Sequence, residues 1–182
     1  MPTTTEEVRV GVDGIVAVAP SETTAPTSAT STMPVGAKDL GYVSEDGVEE
    51  TTERSTTPLK AWQRGKTVRT LVEDASVRYH LVLIQTSAET VALYYGGTVE
   101  PDGSIVVDPG AERPVQQLWL DVIDGDDIIR AWAPEAQVVE VGGQVFKNGE
   151  PIGYDVTIEC ARNATLGGSV KKFYSALDTT GA

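Results

Sequence analysis

The sequence predicts a mainly β protein: an antiparallel β-sandwich or barrel with one short α-helix and an extended N-terminal arm. Three observations support this. Apolar and polar residues alternate with period two in several segments, Asp-Gly and Asn-Gly turns stand beside them, and one stretch holds both a start and a stop signal for a helix. At 182 residues and 40% apolar composition, the chain fits one domain with a core of its own.

In chain order, the segment APSETTAPTSATSTMPVGAKD places Pro20, Pro26 and Pro34 among many Ser and Thr. Proline removes donors and fixes φ, and Ser and Thr compete for backbone partners, so the segment is irregular and extended. It reads either as a loose loop or as an arm lying on a neighbouring subunit. In SVRYHLVLI, Val77, Tyr79, Leu81 and Leu83 share one face, with Arg78 and His80 on the other. TSAETVALYYGG reads as a helix capped by Thr86, with Glu89 completing a capping box and Gly96 ending it. Its expected apolar stripe is Ala88, Val91, Ala92 and Tyr95.

EPDGS is a turn between Val99 and Ile105. In QQLWLDVI, Leu118, Leu120 and Val122 alternate against Gln117, Trp119 and Asp121, and DGDD then turns the chain into IIRAWA. KNGE joins QVF to PIGYDV, and in YDVTIECA the inward set is Tyr154, Val156, Ile158 and Cys160. Such alternation marks antiparallel strands with one buried face.

Composition removes several function classes. A net charge of −13 argues against non-specific attraction to nucleic acid or to an anionic membrane, because both need neutralising Lys and Arg. Cys160 is the one cysteine, so no disulfide framework is expected, and the N-terminus lacks the basic and apolar regions of a signal peptide. With no apolar run of about 20 residues, a soluble protein made in a reducing cytoplasm is expected. His80 is the one histidine and sits on a polar strand face, while Cys160 reads as core, so neither suggests nucleophilic catalysis. DGDD lacks the loop and closing Glu of a calcium site, and no zinc spacing or phosphate-cradling glycine loop occurs. No catalytic residue, metal or cofactor is expected.

One charge pattern remains. Glu45, Asp46, Glu49, Glu50 and Glu53 form an acidic run, followed by a basic run of Lys60, Arg64, Lys66 and Arg69. Either the two runs are strands of one hairpin paired within the chain, or one subunit's acidic edge meets the next subunit's basic edge. Contacts of the second kind are head-to-tail and build rings or tubes.

The order VDGIVAVAPSETTAPTSA, KDLGYVSEDGVEE, STTPLKAWQRGKTVRTL and YHLVLIQTSAETVALYYGG resembles the major tail tube protein of long-tailed, siphovirus-type bacteriophages, closest in style to those of actinobacterial phages. The likeness covers Val12 to Gly97, with the second half similar only in its β-rich style. It implies a non-enzymatic virion protein whose subunits form stacked hexameric rings, a conduit for DNA ejection with a negatively charged lumen. It also implies assembly in the host cytoplasm and partners in the tape measure, tail terminator and distal tail proteins, with no membrane and only transient passage of DNA.

On this resemblance, residues 1–40 form the N-terminal strand and Ser/Thr/Pro-rich arm. Residues 41–182 form the β-sandwich domain, with an assembly hairpin over 42–70. The interface or lumen candidates are the five acidic and four basic residues above together with Trp62. Glu49 and Glu53 share a strand parity, as do Asp46 and Glu50, so at most one set should face the lumen. The alternative is a monomeric β-sandwich module binding carbohydrate or protein, with Trp62, Trp119 and Trp132 as exposed aromatics. Trp119 and Trp132 fit a core or subunit interface better, since the indole is large and amphipathic.

Overall fold

The computed structural model describes residues 7–179, with nothing said of the side chains at 73–74. The first six and last three residues of the chain, which fall in the expected arm and at the end of the sandwich, lie outside the described part. The elements are β1 (Asp13–Pro20), β2 (Lys38–Asp39), β3 (Val43–Lys60), β4 (Thr67–Leu83), α1 (Ala88–Tyr95), β5 (Gln116–Asp124), β6 (Asp127–Val141), β7 (Tyr154–Cys160) and β8 (Lys171–Tyr174). All strands belong to one 8-stranded sheet in the order β2-β1-β5-β6-β7-β4-β3, with β8 pairing β6. Every pairing is antiparallel. Among the described residues, no helix is long and apolar enough to cross a membrane.

Alternation builds the main core as expected on β4 and β7. Tyr79, Leu81 and Leu83 are buried beside Tyr154, Val156, Ile158 and Cys160, and the register sets Tyr79 opposite Ile158 and Leu81 opposite Val156. Val16 and Val18 of β1 join the same cluster, so the sheet curls to bring strands from its two halves onto one core. The turn at Asp124–Asp127 makes the expected hairpin: Gly125 adopts φ 62°, and Asp124 pairs with Asp127.

The other two turns form without the strands expected on both sides of them. Glu100 N–H donates to the Ser104 carbonyl at 2.8 Å and Gly103 has φ 83°, but Val99 and Ile105 lie outside the sheet. Gly149 likewise turns with φ 86° inside the long connection from β6 to β7. A turn signal fixes local backbone, but a strand also needs a neighbour to bond; Val99, Ile105 and QVF lie outside the sheet, whereas the YDV of PIGYDV opens β7 against β4 and β6.

Strand β5 departs from the expected one-sided burial. Gln117, Trp119 and Asp121 are as buried as Leu118 and Leu120. Trp119 and Trp132 pack edge-to-face with ring centroids 6.5 Å apart, in a second cluster with Ala17 and Ala19. The cover over this face is the Ser/Thr/Pro segment between β1 and β2, through Met33 and Ala37. Its backbone has no ladder partner along most of its length, so side chains hold it. Gln117 Nε2 donates to the carbonyls of Ser21 (3.1 Å) and Thr23 (2.6 Å), and Arg130 Nη1 donates to the Ser31 carbonyl and hydroxyl. The segment is thus a strap fastened to its own sheet, which corrects the expectation of a loose loop.

Helix α1 is capped one residue later than expected. Ser87 Oγ, in place of Thr86, accepts from Thr90 N at 3.1 Å, and Gly96 closes the helix at φ 74°. The buried face is Thr90, Leu93 and Tyr94, where Ala88, Val91, Ala92 and Tyr95 were expected. The anchor explains the rotation: Thr90 Oγ1 donates to the Leu40 carbonyl at 2.8 Å, which turns that side of the helix inward.

Candidate functional site

The acidic and basic runs lie at opposite ends of one β3–β4 ribbon. Strand β4 pairs with β7 only from Val77 to Leu83, and Val77 stands opposite Thr52 of β3. Beyond that point β3 and β4 have only each other. Residues Glu53 to Lys60 therefore carry the tip about 25 Å past the last sheet pairing, at roughly 3.4 Å per residue. All described side chains from Glu49 to Lys60 are exposed.

The chain turns inside the basic run. Ala61 N–H donates to the Lys66 carbonyl at 2.8 Å, and Arg64 (φ 58°) and Gly65 (φ 63°) are successive left-handed residues. Lys60 consequently pairs with Thr67 and Leu59 with Arg69, while Glu49 faces His80, Glu50 faces Tyr79 and Glu53 faces Ser76. The hairpin reading that matched acidic strand to basic strand within one chain is thus corrected. At the tip, Lys60, Arg64, Lys66 and Arg69 are exposed, with Trp62 at 97% accessibility. None of these four cations makes an ion pair among the described residues.

The acidic run splits three ways. A bulge separates Val43, opposite Leu83, from Val48, opposite Leu81, and holds Glu45 and Asp46 with Gly47 at φ 72°. The bulge breaks the expected parity between Asp46 and Glu50. Glu50 turns to the core side, where it accepts from the Tyr79 hydroxyl at 2.8 Å and from Lys172 Nζ at 2.7 Å. Burial and then this carboxylate raise the Tyr79 pKa, so the phenol stays protonated and donates.

Glu49 and Glu53 lie on the opposite face. There Arg78 bridges Glu159 at 2.8 Å and Glu53 at 3.3 Å, and His80 Nε2 meets Asp155 at 2.8 Å. These pairs are partly exposed, worth about 0.2–1 kcal/mol each. Sequence reasoning missed Tyr79, Arg78, Glu159 and Lys172 as partners of the acidic run, because the register that joins them depends on β4–β7 and β6–β8 pairing far along the chain.

Cys160 packs in the core with 0% accessibility, and burial, with smaller effects from Glu50 and Glu159, raises its thiol pKa from 9.0 to about 12. The folded chain should therefore leave Ellman's reagent unreacted at pH 8 and react only after unfolding. A raised thiol pKa keeps its full stability contribution below pH 9.0 and loses it as pH climbs toward about 12, so alkaline unfolding should steepen across that window. Prompt labelling of the native thiol would contradict this placement. Among the described residues, no group of three or more His, Cys, Asp or Glu is arranged to hold a metal ion.

The geometry is that of a sheet extended by a charged, exposed ribbon, without a convergent constellation of metal-ligating groups among the described residues. Similar folds occur in solved structures of a native gene transfer agent virion (TM-score 0.45, 10% identity, 91% of this chain and 98% of that one). They also occur in the sheath–tube complex of an extracellular contractile injection system in its extended state (TM-score 0.43, 12% identity, 94% and 98%). The baseplate of the anti-feeding prophage gives a third (TM-score 0.42, 13% identity, 87% and 92%). No curated protein matches the sequence. The model of the phage tail tube protein family matches residues 1–163, and the chain belongs to that family.

Proposed function

We propose that this chain is a non-enzymatic subunit that closes into hexameric rings, and that the rings stack into the tube of a virion tail through which DNA leaves. Family membership makes it a structural tail tube protein. Six-fold closure, assembly in the host cytoplasm, and contacts with tape measure, terminator and distal tail proteins are part of the proposal. The observation that supports it most is the ribbon beyond Thr52. A two-stranded hairpin is marginal in water on its own, and this one exposes Leu59, Trp62, Val68 and Val72, so its order calls for a neighbour.

The face bearing Glu49, Glu53, Glu140, Asp155 and Glu159, where carboxylates outnumber Arg78 and His80, suits the lumen side. Carboxylates there would repel phosphate and keep passing DNA from adhering. The binding-module alternative loses two of its three aromatics, because Trp119 and Trp132 are buried at 1% and 8% accessibility.

Electron microscopy of the concentrated protein, alone and seeded by tail-initiating proteins, tests the proposal. Tubes built of six-fold rings are expected. A persistent monomer under both conditions would sink it.

A further inference from the structure

We infer that the ribbon tip of one copy docks into an acidic groove between β1 and the β3 bulge of another copy, with Trp62 as its anchor. The inference builds on the self-assembly reading and specifies which two surfaces meet. The groove, about 800 Å³, opens where the curled sheet fails to close. Strand β2 covers β1 only at Ala17 and Val18, which leaves the first half of β1 without a strand on that side, and β3 is the last strand of the sheet. Asp13, Asp39, Glu45 and Asp46 stand around an apolar lining that includes Val43 and Val48, and among the described residues no lysine, arginine or histidine lines it. On the same wall, Ser44 Oγ is buried without a hydrogen-bond partner among the described residues.

The ribbon tip is complementary in charge. Lys60, Arg64, Lys66 and Arg69 surround the exposed Trp62. Trp and Arg are enriched in binding hot spots, and Trp62 would be desolvated on entering the groove. Opposite charges at the rim would set register and speed encounter.

Geometry decides the source of the occupant. Lys60 lies twelve residues beyond Val48 on the same strand, about 40 Å at roughly 3.4 Å per residue, so a chain's tip is out of reach of its own groove. The tip must come from a second copy. Because tip and groove are different surfaces, the contact is head-to-tail and propagates to a ring or a filament.

Two experiments on the full chain test it. In the first, the variant Lys60→Glu, Arg64→Glu, Lys66→Glu should keep its circular dichroism spectrum while tube formation falls about tenfold or more, since like charges then oppose each other. Adding Glu45→Lys and Asp46→Lys to that variant should restore tubes. In the second, a chain carrying Asp46→Cys and Arg64→Cys should give a ladder of disulfide-linked multimers on a non-reducing gel, with buried Cys160 taking no part.

Normal assembly of the triple variant, failure of the rescue, or absence of the ladder would each overturn the contact. Tubes from the unmodified chain without a ladder would leave the tube reading standing alone. A ladder without tubes would keep the contact and reject the tube.

Discussion

Arg130→Met should lower the unfolding free energy by about 3–5 kcal/mol in a urea titration, because it strips a buried carboxylate of its partner. Arg130 and Asp121 are each 4% accessible and meet in a two-pronged bridge, Nε–Oδ1 at 2.7 Å and Nη2–Oδ2 at 2.6 Å. The guanidinium also lies 5.5 Å over the Trp119 ring and reaches Ser31 in the strap. Removing it orphans the Asp121 charge and frees the strap together.

The double variant Asp121→Leu, Arg130→Met should recover most of the loss, since apolar replacement of a whole buried pair is often neutral or better. A single-variant loss below about 1 kcal/mol would show that water reaches Asp121 and that the bridge is not buried in solution.

Gln117→Leu should cost about 3–5 kcal/mol, although it nearly preserves side-chain volume, because four polar groups lose their partner at once. The Gln117 Oε1 accepts from Trp119 Nε1 at 3.2 Å and from Trp132 Nε1 at 3.0 Å, while its Nε2 holds the Ser21 and Thr23 carbonyls. Limited proteolysis should then cut between Ser21 and Ala37 in the variant but not in the parent, and the tryptophan emission should shift. Gln117→Glu keeps the acceptor and loses the donor, so it should free the strap while leaving the indole bonds in place. Unchanged stability and cleavage in Gln117→Leu would refute the fastening role.

These two residues show where the sequence was legible. On β4 and β7 one face is core and the other meets polar partners, so alternation alone located Tyr79, Leu81, Val156 and Ile158. The same pattern on β5 was misleading, because Gln117, Trp119 and Asp121 are the polar side of the alternation yet lie under the strap. Burial of that kind is imposed by a segment about a hundred residues away, beyond the reach of any local window.

One signal was present. A two-residue turn at Gly125 and Asp126 sets Asp121 opposite Arg130 and Trp119 opposite Trp132, and counting back from the turn would have paired them. For the acidic run, composition located the segment, but the bulge at 44–47 and the turn within the basic run decided which way each charge faces.

The pairing of β1 with β5 also has a consequence for biosynthesis. Val16 bonds across to a strand centred on Leu120, whereas β3 and β4 are joined by a short turn and pair as soon as both exist. At about 5–20 residues per second, β1 waits roughly 5–20 s on the ribosome for its partner. Through that interval the apolar Ile15–Ala19 run has only the two-residue β2 beside it, at Ala17 and Val18, while a hairpin with free edges has already formed. The nascent chain is thus most prone to mispairing with its siblings before β5 emerges, so slowing synthesis between β4 and β5 should lower the yield of soluble subunit.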